Sequence, residues 1–279
     1  MLRRSLLVRG PLVETTFIPL LGAKRQPSAN LAVLTLTNPA TRNAMSVAMG
    51  DEFAAAVRQI QANRDTRGVL LTGAGQAFSA GGDVAFLTAR LTDTPNGNVE
   101  AMKRYYRRFL CLRDLTVPVV AAINGHAMGA GFCVALACDA RVAAKPALMA
   151  VNFVRLGIHP GMAATFSLPR LVGSAAASEL LLTGQTISAE RAYQLGLVTK
   201  VTETPEECRQ EATKLLVAMA GESSRIAVSE TLKTLRGSDA ELERALDREA
   251  LAQAECYLEG RDLTEALDAL KQKRTPVFS

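Results

Sequence analysis

The sequence predicts an α/β fold with a trailing helical region, and three observations carry that expectation. Short apolar, β-rich runs recur between amphipathic helical patterns. Glycine-rich turns follow two of those runs, and from about Thr165 onward the pattern becomes mostly helical. With 279 residues, 48% hydrophobic and 21% charged, the chain is long enough for one large core or a core with a small appendage, which argues against disorder.

Residues 1–30 contain Pro, Gly and Ser without sustained periodicity and read as an N-terminal extension, so the folded domain is expected to start at Leu31. There "LAVLTL" alternates as a strand, and the turn "NPATRNAM" follows. Met49, Phe53, Ala56, Val57 and Ile60 then share one helical face, with Ser46 as the N-cap. "RGVLLTG" reads as a buried strand and "AGQAFSAGGD" as its loop. A helix is expected from about Val99 to Leu115, and Pro118 opens a second apolar strand, "VPVVAAING". Beyond it Gly129 to Gly131 make a turn into another helix. "AASELLLTG", "SAERAYQLG", "PEECRQEATKLLVAMAG" and the charged run from Ser238 to Tyr257 are helical. The chain divides into a strand-rich core over 31–204 and a helical region over 205–279, whose helices are expected to cover a neighbouring subunit.

The charge balance, 32 Lys and Arg against 27 Asp and Glu, suits an anionic ligand, but the charges are scattered with no basic run or aromatic platform. A phosphorylated small molecule is therefore expected ahead of nucleic acid. Cys111, Cys133, Cys138, Cys208 and Cys256 have no paired spacing, so no metal site is expected and the thiols read as reduced. No apolar run is long enough to span a membrane. Arg3, Arg4 and Arg9, with no acid before Glu14, resemble an organelle-import sequence, predicting a mitochondrial location and otherwise a cytoplasmic one; a basic tail is the plain alternative.

The glycine turns carry the chemistry. In "FSAGGDV" small residues before Asp83 let the backbone bend with N–H groups exposed, and in "GHAMGAGFCVALACD" a helix begins at the turn with its first N–H groups unpaired at the positive end of its dipole. Two such turns would place two donors around one carbonyl oxygen, an oxyanion hole; each alone is more often a tight turn. A dinucleotide fingerprint fails, since Phe78 stands at the third glycine of "GAGQAF", and a nucleophile elbow fails, since "GHAMGAG" has no serine.

Taken in order, "NPATRNAMS", "AFSAGGDV", "PVVAAINGHAMGAGFCVALACDARVA", "LGIHPGMAATFSLPRLVG", "LLLTGQTISAERAYQLGLVTKV" and "RDLTEALDALKQKRTPVFS" resemble the crotonase superfamily, the enoyl-CoA hydratase/isomerase family, from about Leu31 to Phe278. The resemblance implies a spiral of ββα units with a C-terminal helical trimerisation region. It also implies an acyl-CoA thioester as substrate, no cofactor, and a homotrimer or hexamer. Carried over, the backbone N–H groups of Gly82 and Ala130 are the oxyanion-hole donors. Arg42, Ala44 and the segment Ala80, Gly81 to Asp83 lie along the CoA, and Lys273, Arg274 and Phe278 approach its nucleotide; a solvated helix end is the alternative for Lys273 and Arg274.

The resemblance breaks at the acid/base positions. The two glutamates that hydratases use correspond here to Cys133 and Phe153, and the aspartate of related isomerases and hydrolases to Gly161. Neither a thiol nor a phenyl ring replaces a carboxylate at neutral pH. His159, before Pro160-Gly161, is the remaining acid/base candidate, with a structural role as its alternative. His126 reads as structural, Asp83 as a loop-fixing acceptor, and Tyr105 and Tyr106 as packing or solvent-face residues. Three functions follow: an enoyl-CoA hydratase/isomerase-like enzyme, a malonyl-type acyl-CoA decarboxylase, or a non-catalytic acyl-CoA-binding or oligomer-partner protein.

Overall fold

The computed structural model describes residues 10–20, 28–221, 223–237 and 239–278. Arg3, Arg4 and Arg9, and with them the import-sequence reading, lie outside the described residues. The strands are β1 (Val13–Pro19), β2 (Asn30–Leu36), β3 (Thr66–Gly73), β4 (Ala77–Ser79), β5 (Val119–Ile123), β6 (His126–Met128), β7 (Ala140–Ala144), β8 (Leu148–Ala150), β9 (Ile187–Ser188) and β10 (Lys200–Thr202). The helices are α1 (Val47–Ala62), α2 (Val84–Arg90), α3 (Pro95–Leu110), α4 (Ala130–Leu136), α5 (Ala164–Thr183), α6 (Ala189–Gln194), α7 (Pro205–Ala220), α8 (Arg225–Arg236), α9 (Asp239–Glu259) and α10 (Arg261–Gln272).

The strands form two sheets, β1-β2-β3-β5-β7-β10 and β4-β6-β8-β9. The chain crosses from the larger sheet to the smaller and back: β3 leads to β4, β5 to β6 and β7 to β8, each pair one coil of a spiral. Successive coils stack in parallel, Leu70 facing Val120 and Val120 facing Ala140. Parallel strands covered on both faces require continuous apolar runs, and every residue of β5 and β7 is buried. On one face lies the core enclosed by the sheets with α1, α3 and α4. On the other α7 packs Cys208, Ala212, Leu216 and Ala220 over Leu31, Leu70, Val120 and Val142.

The expected start at Leu31 is corrected. β1 pairs antiparallel with β2 along its whole length, from Val13 opposite Leu36 to Pro19 opposite Asn30. It sits at the sheet edge, where only Val13 of the strand is buried, so its sequence has little apolar alternation to reveal it. The expected helix at Val99–Leu115 also shifts: α3 begins at Pro95, where Thr94 Oγ1 accepts from Gly97 N, and gives way to a tighter helical turn over Cys111–Asp114. α1 begins as expected, Ser46 accepting from Met49 N.

Candidate active site

The site grows from three consecutive corners of the spiral. In the smaller sheet Ser79 of β4 faces Ala127 of β6, and Ala127 faces Met149 of β8. Three residues beyond each paired position stand Gly82, Ala130 and Asn152, so these occupy matching places on successive coils, and all three line one cleft.

At the first corner, Met45 bridges to Gly82 by donating to Gly81 O (2.7 Å) and accepting from Asp83 N (3.3 Å). Alternate peptide groups of an extended segment point to opposite sides, so this bridge uses the groups flanking Gly82 and leaves its own N–H turned away. Asp83 Oδ1 accepts from Phe86 N at 3.0 Å and caps α2, as its loop-fixing reading expected. Gly81 has φ +90°, and a Cβ there would stand 2.5 Å from Met128 O, so the two glycine turns lie side by side. The turn before α1 is pinned by buried Asn43, whose Nδ2 donates to Ala74 O and Ala77 O, both at 2.9 Å. Arg42 and Asn43 adopt φ of 54° and 56°, and Arg42 O accepts from Ala80 N at 2.8 Å; Arg42 is exposed and Ala44 half-buried beside the glycine segment.

At the second corner Gly129, with φ 48° and ψ −121°, turns β6 into α4. Its N–H donates to Ala150 O at 2.8 Å, whereas Ala130 is the first residue of the helix, where an N–H has no intrahelical acceptor. Neither Gly82 N nor Ala130 N has a hydrogen-bond acceptor among the described residues. Gly131 brings α4 onto β4 so closely that a Cβ would meet Ser79 Cβ at 2.6 Å.

The cleft walls are apolar: Phe86, Leu87, Met102, Phe153, Leu156, Ile158 and Met162. Asn152 adds an amide that makes no hydrogen bond among the described residues. A polar cluster closes one wall. Tyr106 Oη donates to Gln253 Oε1 at 2.9 Å, Tyr257 Oη has Gln253 Oε1 at 3.3 Å and Met102 Sδ at 3.6 Å as acceptors for its one hydrogen, and Gln253 Nε2 donates to His159 O at 2.6 Å. Tyr105 stacks on Phe86 with centroids 4.5 Å apart and donates to Met45 O at 2.8 Å. Tyr105 and Tyr106 are thus buried cleft residues, which corrects the solvent-face alternative. Burial pushes the hydroxyls of Tyr105, Tyr106 and Tyr257 well above the ordinary phenol range, so none is a base at neutral pH.

Phe153 faces the cleft. Cys133 is buried in α4, where desolvation pushes its thiol well above the ordinary range. His159 is not brought into the cleft. Its ring is half-buried outside the lining, Nδ1 lies 2.6 Å from Pro160 O, and burial lowers its pKa. The carbonyl can only accept, so Nδ1 carries the proton. Gly161 has no room for a side chain: a Cβ would stand 2.7 Å from Tyr106 Oη and 2.9 Å from Gln253 Nε2.

Lys273, Arg274 and Phe278 lie at the end of α10 and do not line the cleft. Arg274 pairs with Glu265, Nη2 to Oε2 at 2.8 Å. His126 Nδ1 accepts from Leu148 N at 3.1 Å, a structural role. The sequence reading missed Asn152, Gln253, Tyr257 and Glu249. The last is a fully buried carboxylate of α9 that accepts from Ala163 N at 2.8 Å and from Thr165 N at 2.9 Å.

A spiral of parallel strands that stacks glycine turns over one apolar cleft defines a crotonase-type scaffold. Residues 26–279 match the model of the enoyl-CoA hydratase/isomerase family. The probable enoyl-CoA hydratase EchA12 of Mycobacterium tuberculosis is 36% identical over 265 residues, covering 91% of this chain and 90% of the relative. A probable enoyl-CoA hydratase of Bacillus subtilis is 34% identical over 249 residues, covering 89% and 95%. The crystal structure of an enoyl-CoA hydratase/isomerase from Pseudoalteromonas atlantica superposes with a TM-score of 0.79 at 26% identity, covering 96% of this chain and all of the other. The chain belongs to the enoyl-CoA hydratase/isomerase family of the crotonase superfamily and is an enzyme of that type. Among the described residues no helix is long and apolar enough to cross a membrane.

Proposed function

We propose that this enzyme binds an acyl-CoA thioester and stabilises its enolate between the N–H groups of Gly82 and Ala130. The observation that carries the reading is that these two N–H groups, at matching places on neighbouring coils, lack partners among the described residues and line one apolar cleft. Fixed donors in a dry cleft act most strongly where negative charge develops. In this reading Ala80 and Gly81, which line the cleft, lie along the pantetheine together with Arg42, Ala44 and Asp83, and Lys273, Arg274 and Phe278 serve the nucleotide, in a trimer or hexamer that needs no cofactor.

Which reaction follows depends on proton transfer. Hydration and double-bond migration both require a group that takes a proton from carbon or water and returns it elsewhere. Of the residues lining the cleft, none is Asp, Glu, His or Lys; the hydratase positions hold Cys133 and Phe153, and His159 stands outside the lining. That composition favours a second reading, decarboxylation of a malonyl-type CoA. There the bond from the α-carbon to the carboxylate breaks, its electron pair moves into the thioester enolate, CO₂ leaves, and water supplies the proton that regenerates the thioester.

The deciding experiment offers a 3-enoyl-CoA and a malonyl-type CoA separately to the purified protein in heavy water, followed by NMR. Deuterium at the α-carbon or migration of the double bond establishes isomerase-type proton transfer, and His159→Ala then tests that residue. Loss of CO₂ from the malonyl-type substrate alone establishes the second reading. Neither change, with CoA still bound, leaves a binding protein and removes both catalytic readings.

A further inference from the structure

Gln253 is 1% exposed, yet it sits on the cleft wall. Burying an amide is costly unless its hydrogen-bonding capacity is met. The amide orientation is fixed by its surroundings: His159 O can only accept, so Nε2 must face it, and Tyr106 Oη then donates to Oε1. The single hydroxyl hydrogen of Tyr257 has Oε1 at 3.3 Å and Met102 Sδ at 3.6 Å as acceptors, and one of the two hydrogens on Nε2 is used. The other hydrogen has no acceptor among the described residues, and the lone pairs of Tyr106 Oη lack a donor.

The unmet capacity on this wall is therefore one N–H donor beside phenolic acceptors, in surroundings that are otherwise Met102, Ile158 and Met162. A plain hydrocarbon chain would leave that capacity unmet. A carboxylate would enter without a cation, since no Lys, Arg or His lines the cleft. A hydroxyl fits both halves, accepting from Gln253 and donating to a tyrosine oxygen, and a keto oxygen fits the first.

We infer that Gln253 is a specificity-determining residue that selects acyl groups carrying an uncharged oxygen, a hydroxyl or ketone, on the part of the chain that reaches this wall. The inference rests on the acyl-CoA reading above and narrows its substrate class.

Its test is a set of dissociation constants, by calorimetry, for saturated acyl-CoAs of increasing length, each beside its hydroxylated counterpart. At the length that reaches the wall, the hydroxylated member binds about tenfold more tightly, the worth of one well-made buried hydrogen bond. Gln253→Met, of similar volume and without the donor, abolishes the preference. The side-chain amide resonance of Gln253 in the wild-type protein moves with hydroxylated ligands and not with their plain counterparts, a readout that holds even if the variant does not fold. Equal affinities at every length, a preference that survives Gln253→Met, or an amide signal indifferent to the hydroxyl overturns the inference with the acyl-CoA reading intact. Failure of every acyl-CoA to bind overturns both.

Discussion

At the scale of single residues, two glycines of the cleft carry opposite constraints although both lie in glycine-rich turns. Gly82 has ordinary φ, and a Cβ there would meet nothing nearer than Tyr105 Oη at 3.8 Å. A Cβ at Gly131 would overlap Ser79, at 2.6 Å from Cβ and 2.7 Å from Oγ. Gly82→Ala should fold with stability within about 1 kcal/mol of wild type, whereas Gly131→Ala should lose about 1–3 kcal/mol as α4 is pushed off β4. Urea midpoints of the two variants check the contrast; equal midpoints would contradict it. The sequence showed both glycines but not this difference, which depends on a contact between segments far apart in the chain. Asn152 was hidden likewise, because only the register of β6 with β8 brings it to the place that Gly82 and Ala130 hold. Gln253 left a faint local signal, falling on the stripe of Leu246, Ala250 and Tyr257 that faces inward, in a helix whose charges drew attention first.

At the scale of elements, the entry to α5 is held by a carboxylate from another helix. Met162 and Ala163 adopt φ of 62° and 60°, a conformation that disfavours non-glycine residues. Glu249 of α9 accepts the N–H groups that follow, at Ala163 and Thr165, together with the Thr165 hydroxyl at 2.6 Å. Burial outweighs these bonds and raises the Glu249 pKa from 4.5 to about 7. A carboxyl that keeps its proton longer in the folded than in the unfolded chain contributes most below the unfolded pKa. Its contribution falls as pH rises from the lower value to the higher, and is flat above. Relative to wild type, Glu249→Gln should therefore gain stability between pH 4.5 and about 7, by up to about 3 kcal/mol. Urea unfolding of both proteins across that range measures it, and a pH-independent difference would show that Glu249 ionises normally. Local elements were legible from sequence where their cause was local, as with α1 and Ser46. β1 was not, because an edge strand is defined by its partner β2.

At the scale of the molecule, a mostly enclosed ion pair is among the contacts that join the spiral to the C-terminal helices. Arg236, ending α8, meets Asp139 at 2.9 and 2.7 Å and donates to the carbonyls of Arg113, Leu115 and Val117, while Asp139 accepts from Val119 N at 2.7 Å. The two side chains are only 12% and 14% exposed. Removing one partner leaves the other charge uncompensated, so Arg236→Ala should cost about 3 kcal/mol. A urea midpoint unchanged from wild type would show that this ion pair adds nothing to the junction. The arrangement of strands and helices was legible because buried parallel strands write long apolar runs; this junction was not, since its charges lie 97 positions apart.

The matching places of Gly82 and Ala130 also say where the proposed carbonyl site gets its dimensions. Neighbouring strands lie about 4.8 Å apart, and two N–H groups held at that spacing, each about 2.9 Å from one oxygen, subtend about 110° at it, close to the directions of a carbonyl's lone pairs. The backbone lattice is thus itself the ruler, and no side chain needs to hold it. A scaffold measured in this way leaves the choice of proton-moving groups to the side chains around it.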